Sequence, residues 1–241
     1  MTSSAPTTPA VRESYPQLLS LAVHELRTPC SIVAGYLRLL MREGGDPLTD
    51  QQRKMITEAE KSCTRFIALI AELSEISKLD SGFITLADRP FDVFSLVREV
   101  AGLVHEAQDR EVRLEVRGDE TGAPASGDPD RLRAAFDAVF RAILREKASA
   151  VTVVAERRLV TREGQVSAVV VVADEADVQT VYESPQTAFD VKRGGLGLAL
   201  PLARRIIEGH GGQLSAPEAS TGEQRARGSA LIALPITESK R

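Results

Sequence analysis

Between residues 11 and 43 the apolar positions Leu19, Ala22, Leu26, Cys30, Val33, Leu37 and Leu40 recur at steps of 3, 4, 4, 3, 4 and 3. That interval returns side chains to one face of an α-helix and predicts one buried stripe. The stretch GGDPLTD (44–50) supplies glycines, a proline and a capping aspartate, a stop followed by a start. From Gln51 to about Leu79 a second stripe runs through Met55, Ala59, Cys63, Phe66, Ile70 and Leu73. Two long helices with a short link predict an antiparallel hairpin over residues 11–80. One hairpin alone leaves apolar surface wet, and pairing two into a four-helix bundle covers it, so a homodimer is expected.

At LDSGF (79–83) the pattern changes. FITLADRPFDV reads as a short strand and loop, residues 93–109 as a helix, and EVRLEVRG alternates as a strand. DPDRLRAAFDAVFRAILRE (128–146) starts on a capping aspartate and is helical. SAVTVVAERRLV and QVSAVVVVAD flank TREG as a hairpin of buried strands. An aliphatic helix follows GGLGLAL, and GSALIALPI closes as a strand. The fold class is therefore α+β in two domains, the second spanning 81–241 with mostly antiparallel strands. Residues 1–10, small and polar, read as a disordered leader.

Composition narrows the function classes. Of 241 residues 43% are hydrophobic and 27% charged, ordinary for a globular chain. A net charge of -4 argues against nucleic acid as a partner. No apolar run reaches the roughly 18 residues of a membrane span, and the N-terminus lacks signal-peptide character, so a cytoplasmic protein is expected. Cys30 and Cys63 show no metal spacing, which fits a reduced compartment, and the three histidines form no zinc pattern. Both cysteines read as core residues, His105 as a surface or packing residue inside its helix, and His210 as a capping group at a helix end.

The stretch AVHELRTPCS (22–31) carries the candidate chemistry. His24 lies two residues from both Ala22 and Leu26, hence about 200° from the stripe and outward. Thr28 shares its face one turn on, Glu25 sits one position round, and Pro29 should bend the helix just beyond. A neutral imidazole can attack phosphorus while an adjacent carboxylate fixes its tautomer or takes a proton. The alternative for such a face is plain solvation.

HELRTP on the first helix of a hairpin resembles the H-box of two-component sensor histidine kinases, and the second domain is similar to their GHKL-type ATP-binding domain. The resemblance covers roughly residues 14–238. It implies His24 as phosphoacceptor, Glu25 as acid/base neighbour and Thr28 as the residue positioning water for dephosphorylation of a partner. It also implies a dimeric four-helix bundle, an α/β sandwich, ATP and Mg²⁺ as cofactors, and a response-regulator receiver domain as partner. With no sensor domain ahead of residue 14, input is expected from an upstream sensor protein, an upstream fusion or the leader.

The ATP-binding half departs from that family's pattern. The two N-box asparagine positions fall on Ala138 and Ala142, although Arg131, Leu132 and Asp137 are kept. Alanine offers no oxygen to Mg²⁺; Glu146 is a conceivable substitute. In the G1 box Asp174, implied to bond the adenine amine, survives in DEADV, with Ala176 and Val178 where glycines belong. Phe189 resembles a remnant of the lid's F-box, and only 20 positions separate Asp174 from Gly194. The G2 box is preserved in Gly194, Gly195 and Gly197, whose backbone N–H groups could meet phosphates. Two readings follow: a histidine kinase that phosphorylates itself from ATP, or an ATP-incompetent phosphotransferase or pseudokinase that shuttles phosphate or docks.

Overall fold

The computed structural model describes residues 10–42, 48–119, 122–162, 164–219 and 222–237. The expected leader lies outside them except for Ala10, and so does most of the 44–50 link. The chain forms two compact units, one up to Thr85 and one from Leu86 onward.

The first unit is a helical hairpin of α1 (Ala10–Arg42) and α2 (Asp50–Asp80). Helix α1 runs unbroken through Pro29. Helix α2 starts on Thr49, not on an aspartate. The Thr49 hydroxyl accepts the Gln52 N–H at 3.2 Å while Gln52 Oε1 accepts the Thr49 N–H at 2.9 Å, a reciprocal capping box. Asp50 is instead the first helical residue, placed where a carboxylate favours the helix dipole.

The single stripe expected on each helix resolves into two faces. On α1 the side chains turned toward α2 are Leu19, Val23, Cys30, Ala34, Leu37 and Met41, with Val23 and Ala34 fully buried. Ala22, Leu26, Val33 and Leu40 are exposed. On α2 the inner set is Ile56, Cys63, Ile67, Ile70, Ser74 and Ser77, whereas Met55, Ala59 and Phe66 face outward. Cys63 Sγ donates to the Cys30 carbonyl at 3.1 Å, which fixes where the helices touch. Apolar residues at steps of 3 and 4 on adjacent faces merge into one apparent stripe when read from sequence alone.

In its described residues the second unit packs helices against a six-stranded sheet. In chain order its main elements are β1 (Arg89–Asp92), α3 (Val93–Leu103), β2 (Val112–Gly118), β3 (Pro124–Gly127) and α4 (Pro129–Arg145). There follow β4 (Val151–Arg162), β5 (Gln165–Asp174), α5 (Val178–Glu183), β6 (Gln186–Ala188) and α6 (Ala199–Gly209). The last are β7 (Gln213–Pro217), α7 (Glu223–Arg227) and β8 (Ala230–Pro235). The sheet order is β2-β4-β5-β8-β7-β6, parallel only at β2–β4. Strands β1 and β3 form a separate antiparallel pair.

The starts of α3 and α4 are dictated locally. Asp92 Oδ1 caps α3 by accepting the Ser95 N–H at 2.8 Å, and Asp128 Oδ1 caps α4 by accepting the Arg131 N–H at 3.2 Å. Phe94, Leu132, Phe136, Phe140, Ile143, Leu200 and Ile207 are fully buried and form the helix-side core. On the opposite sheet face Val154, Val169, Val171 and Leu231 pack under Val178 and Val181 of α5. Both faces of β5 are therefore covered, and its run AVVVVA needs no alternation.

The helix expected over 93–109 ends at Leu103. Val104 turns extended (φ -82°, ψ 118°) and Ala107 adopts a left-handed φ of 60°. His105 accordingly lies beyond the helix, exposed, with Nδ1 3.1 Å from Gln108 Nε2. His210 is more than a cap. Its Nδ1 lies 2.7 Å from the Ile206 carbonyl, and its Nε2 accepts the Asp128 N–H at 2.8 Å. The ring thus ties the end of α6 to the start of α4.

Candidate functional site

In the hairpin His24, Glu25 and Thr28 are all exposed on α1, directly beyond buried Val23. At about 100° per residue, His24 and Thr28 lie within about 40° of each other. Both point well away from the seam defined by Val23, Cys30 and Ala34. Leu21, Ile32 and Leu39 are exposed near the azimuth of Thr28. The imidazole is thereby presented on a rigid helix beside a carboxylate, a hydroxyl and an apolar rim, which suits nucleophilic transfer to a docked protein.

The second unit gathers the other named residues around two consecutive positions at the end of α4. Lys147, only 9% exposed, brings Nζ to 2.5 Å from Asp174 Oδ1 at the end of β5. The same ammonium also donates to the Gly228 carbonyl 2.8 Å away. Its neighbour Glu146 accepts the Gly194 N–H through Oε1 at 3.2 Å, and Arg145 Nη1 donates to the Gly194 carbonyl at 3.2 Å. Asp174 and Gly194 thus both meet the α4 end, through a lysine and a glutamate.

Gly194 (φ +70°) lies against α4 where the chain has Ala142, and a Cβ at 194 would stand 2.9 Å from the Ala142 Cα. Gly195 and Gly197 also take left-handed conformations, φ +60° and +64°. Between them and Phe189 stands Arg193, whose guanidinium lies 3.7 Å over the buried Phe189 ring. It donates to the carbonyls of Asp190 (3.0 Å), Ala226 (3.1 Å) and Arg227 (2.5 Å). Burial pushes its pKa down to about 10, so it stays cationic at neutral pH.

Ala138 and Ala142 are buried methyl groups on α4. They carry no oxygen, and among the described residues no group of three His, Cys, Asp or Glu side chains could hold a metal ion. Glu146, the conceivable substitute, is engaged with Gly194. The residues present do not fit Mg²⁺. A cavity of about 520 Å³ opens beside Asp174, lined among others by Ser149, Asp177, Arg225 and Ser229. There Arg225 Nε pairs with Asp177 Oδ1 at 2.9 Å.

Lys147, Arg145 and Arg193 were not among the residues singled out from sequence. A lysine in the polar stretch REKAS carries no spacing that announces burial. Only the fold brings it to Asp174.

Residues 17–82 match the His Kinase A (phospho-acceptor) domain. The signal transduction histidine-protein kinase BarA of Escherichia coli K12 is 28% identical over 211 residues, 83% of this chain and 22% of BarA. The circadian input-output histidine kinase CikA of Synechococcus elongatus is 27% identical over 82% of this chain and 27% of its own length. The chain thus spans about a quarter of these relatives. In overall fold it is similar to full-length ShkA in complex with AMPPNP, with a TM-score of 0.65 and 22% identity over 92% of this chain and 45% of ShkA. It is also similar to the histidine kinase ThkA in complex with the response regulator TrrA, at TM-score 0.55 and 19% identity over 93% and 63%. A helical hairpin within the phospho-acceptor match, followed by an α/β sandwich, is the architecture the chain shares with these structures. Residues 17–82 are thus a His Kinase A (phospho-acceptor) domain, and over most of its length the chain is similar to histidine kinases.

Proposed function

We propose that this chain is a histidine phosphotransfer component of a two-component pathway, carrying a phosphoryl group on His24 and exchanging it with the aspartate of a response-regulator receiver domain. The observation that supports this most directly is the exposed His24 on α1, within the phospho-acceptor match, with Glu25 beside it and Thr28 one turn on. In the exchange an imidazole nitrogen of neutral His24 attacks the phosphorus of the aspartyl phosphate. A nitrogen–phosphorus bond forms, the bond from phosphorus to the carboxylate oxygen breaks, and the carboxylate leaves. Glu25 is positioned to accept the proton that the imidazolium then sheds, and the reverse sequence delivers phosphate to the receiver. Thr28 would position water when phosphate is removed from the partner.

The exposed outer face of Leu26, Val33, Leu40, Met55 and Phe66 supports a homodimer, in which two hairpins form the four-helix bundle. Among the described residues no helix is long and apolar enough to cross a membrane.

The kinase reading, in which His24 takes its phosphate from ATP on this chain, is favoured by Asp174 at the end of β5 and by the glycines at 194, 195 and 197. The same labelling experiment separates the two. The purified chain is incubated either with a ³²P-labelled receiver domain or with γ-labelled ATP and Mg²⁺, each beside His24→Ala. Acid-labile, His24-dependent label from the receiver is expected. Label from ATP would establish the kinase reading instead, and no label from either donor would end both.

A further inference from the structure

We infer that the second unit is closed to Mg²⁺-nucleotide by its own side chains, with Lys147 and Glu146 occupying the groups a nucleotide would need. This goes beyond the reading of His24 and does not rest on it.

The ground is the pairing of each charged group around the cleft. The Asp174 carboxylate, the acceptor that an exocyclic amine would seek, meets the Lys147 ammonium at 2.5 Å. Lys147 is held there from two sides. Its Nζ donates to the Gly228 carbonyl at 2.8 Å, and glycine at 228 makes room for it, since a Cβ there would stand 2.5 Å from Nζ. A ligand that took Asp174 would strand a buried ammonium on one carbonyl. That loss would weaken any such contact by about 10²-fold or more.

The phosphate side is closed in the same way. The Gly194 N–H is given to Glu146 at 3.2 Å, so a carboxylate stands where an anion would have to enter. Gly194 packs on the Ala142 backbone, which leaves no room between that loop and α4 for an ion and its ligands. Three nearby cations are committed too: Arg193 to the carbonyls of 190, 226 and 227, Arg225 to Asp177, and Arg145 to Glu106 at 2.9 Å. A triphosphate would need to break these pairs, and no group among the described residues would replace the metal.

The test has one arm for the ligand and one for the strut, both on the full chain. Titration calorimetry of the wild type with ATP and Mg²⁺ is expected to show no saturable heat at concentrations up to about 1 mM, the range of a contact worth little. Saturable binding below that concentration overturns the inference. In the second arm Asp174→Asn and Lys147→Met are each expected to lower the melting temperature by several degrees, because each strands the other partner. The double variant Lys147→Met/Asp174→Asn is expected to recover most of that loss. An Asp174→Asn chain that melts with the wild type would show Asp174 free for a ligand and would also overturn it. Neither arm depends on His24, so failure here leaves the phosphotransfer reading to its own test.

Discussion

Asp92 shows how much one carboxylate organises in this fold. Besides capping α3 through Oδ1, its Oδ2 accepts the N–H groups of Gly122 and Ala123, each at 2.9 Å. Burial alone would raise its pKa, but the backbone donors of Ser95, Ala123 and Gly122 outweigh it and hold the carboxyl below its ordinary value. A folded-state pKa below the unfolded value of about 3.9 gives stability that is complete above that value and is lost as pH falls through the folded one. Asp92→Ala is expected to cost about 2 kcal/mol at pH 7, from the lost cap and two orphaned donors. The gap to wild type should narrow at pH 3, and denaturant melts at both pH values check it. At this scale the sequence was informative where chemistry is local. His24, Glu25 and Thr28 share one turn of helix, so their common exposure followed from spacing. The Ala138 and Ala142 replacements were equally visible. The partner of Asp174 was not, because Lys147 meets it only after β4 and β5 have paired.

Among the elements, the capping of α2 corrects the sequence reading. An aspartate in GGDPLTD was expected to start the helix, and the structure gives that role to Thr49 with Gln52 answering it. Thr49→Ala is expected to cost about 1 kcal/mol. Asp50→Ala, which touches only the dipole, should cost about 0.5 kcal/mol. Urea midpoints of the two variants decide between the assignments. Long periodic elements such as α1, α2 and α4 were legible because each repeats its pattern several times, and β5 was legible as an unbroken apolar run. The three- to six-residue elements β3, α5, β6, β7 and α7 were not, since none is long enough to display a period. The overlong reading of α3 has a similar cause: Val104 to Gln108 keeps helix-compatible residues, and only the left-handed Ala107 reveals the turn.

For the molecule as a whole, the hairpin presents two apolar faces where one was counted. That correction sharpens the expectation of a dimer, because the inner face is satisfied by α2 and the outer one is left over. Leu26→Glu combined with Val33→Glu is expected to halve the mass measured by light scattering while the helical circular dichroism persists. Ala34→Asp, on the inner face, should instead melt the hairpin, since a buried unpaired carboxylate has no partner there.

The ion pair between Lys147 and Asp174 has a consequence for how the protein fares in its surroundings. A domain steadied by a dissociable small molecule gains stability by mass action and loses it when that molecule becomes scarce. A counter-ion built into the chain is present at unit stoichiometry from the moment of folding. The abundance of this sandwich should therefore be indifferent to the energetic state of the cell, and starvation would leave its folded fraction where it was.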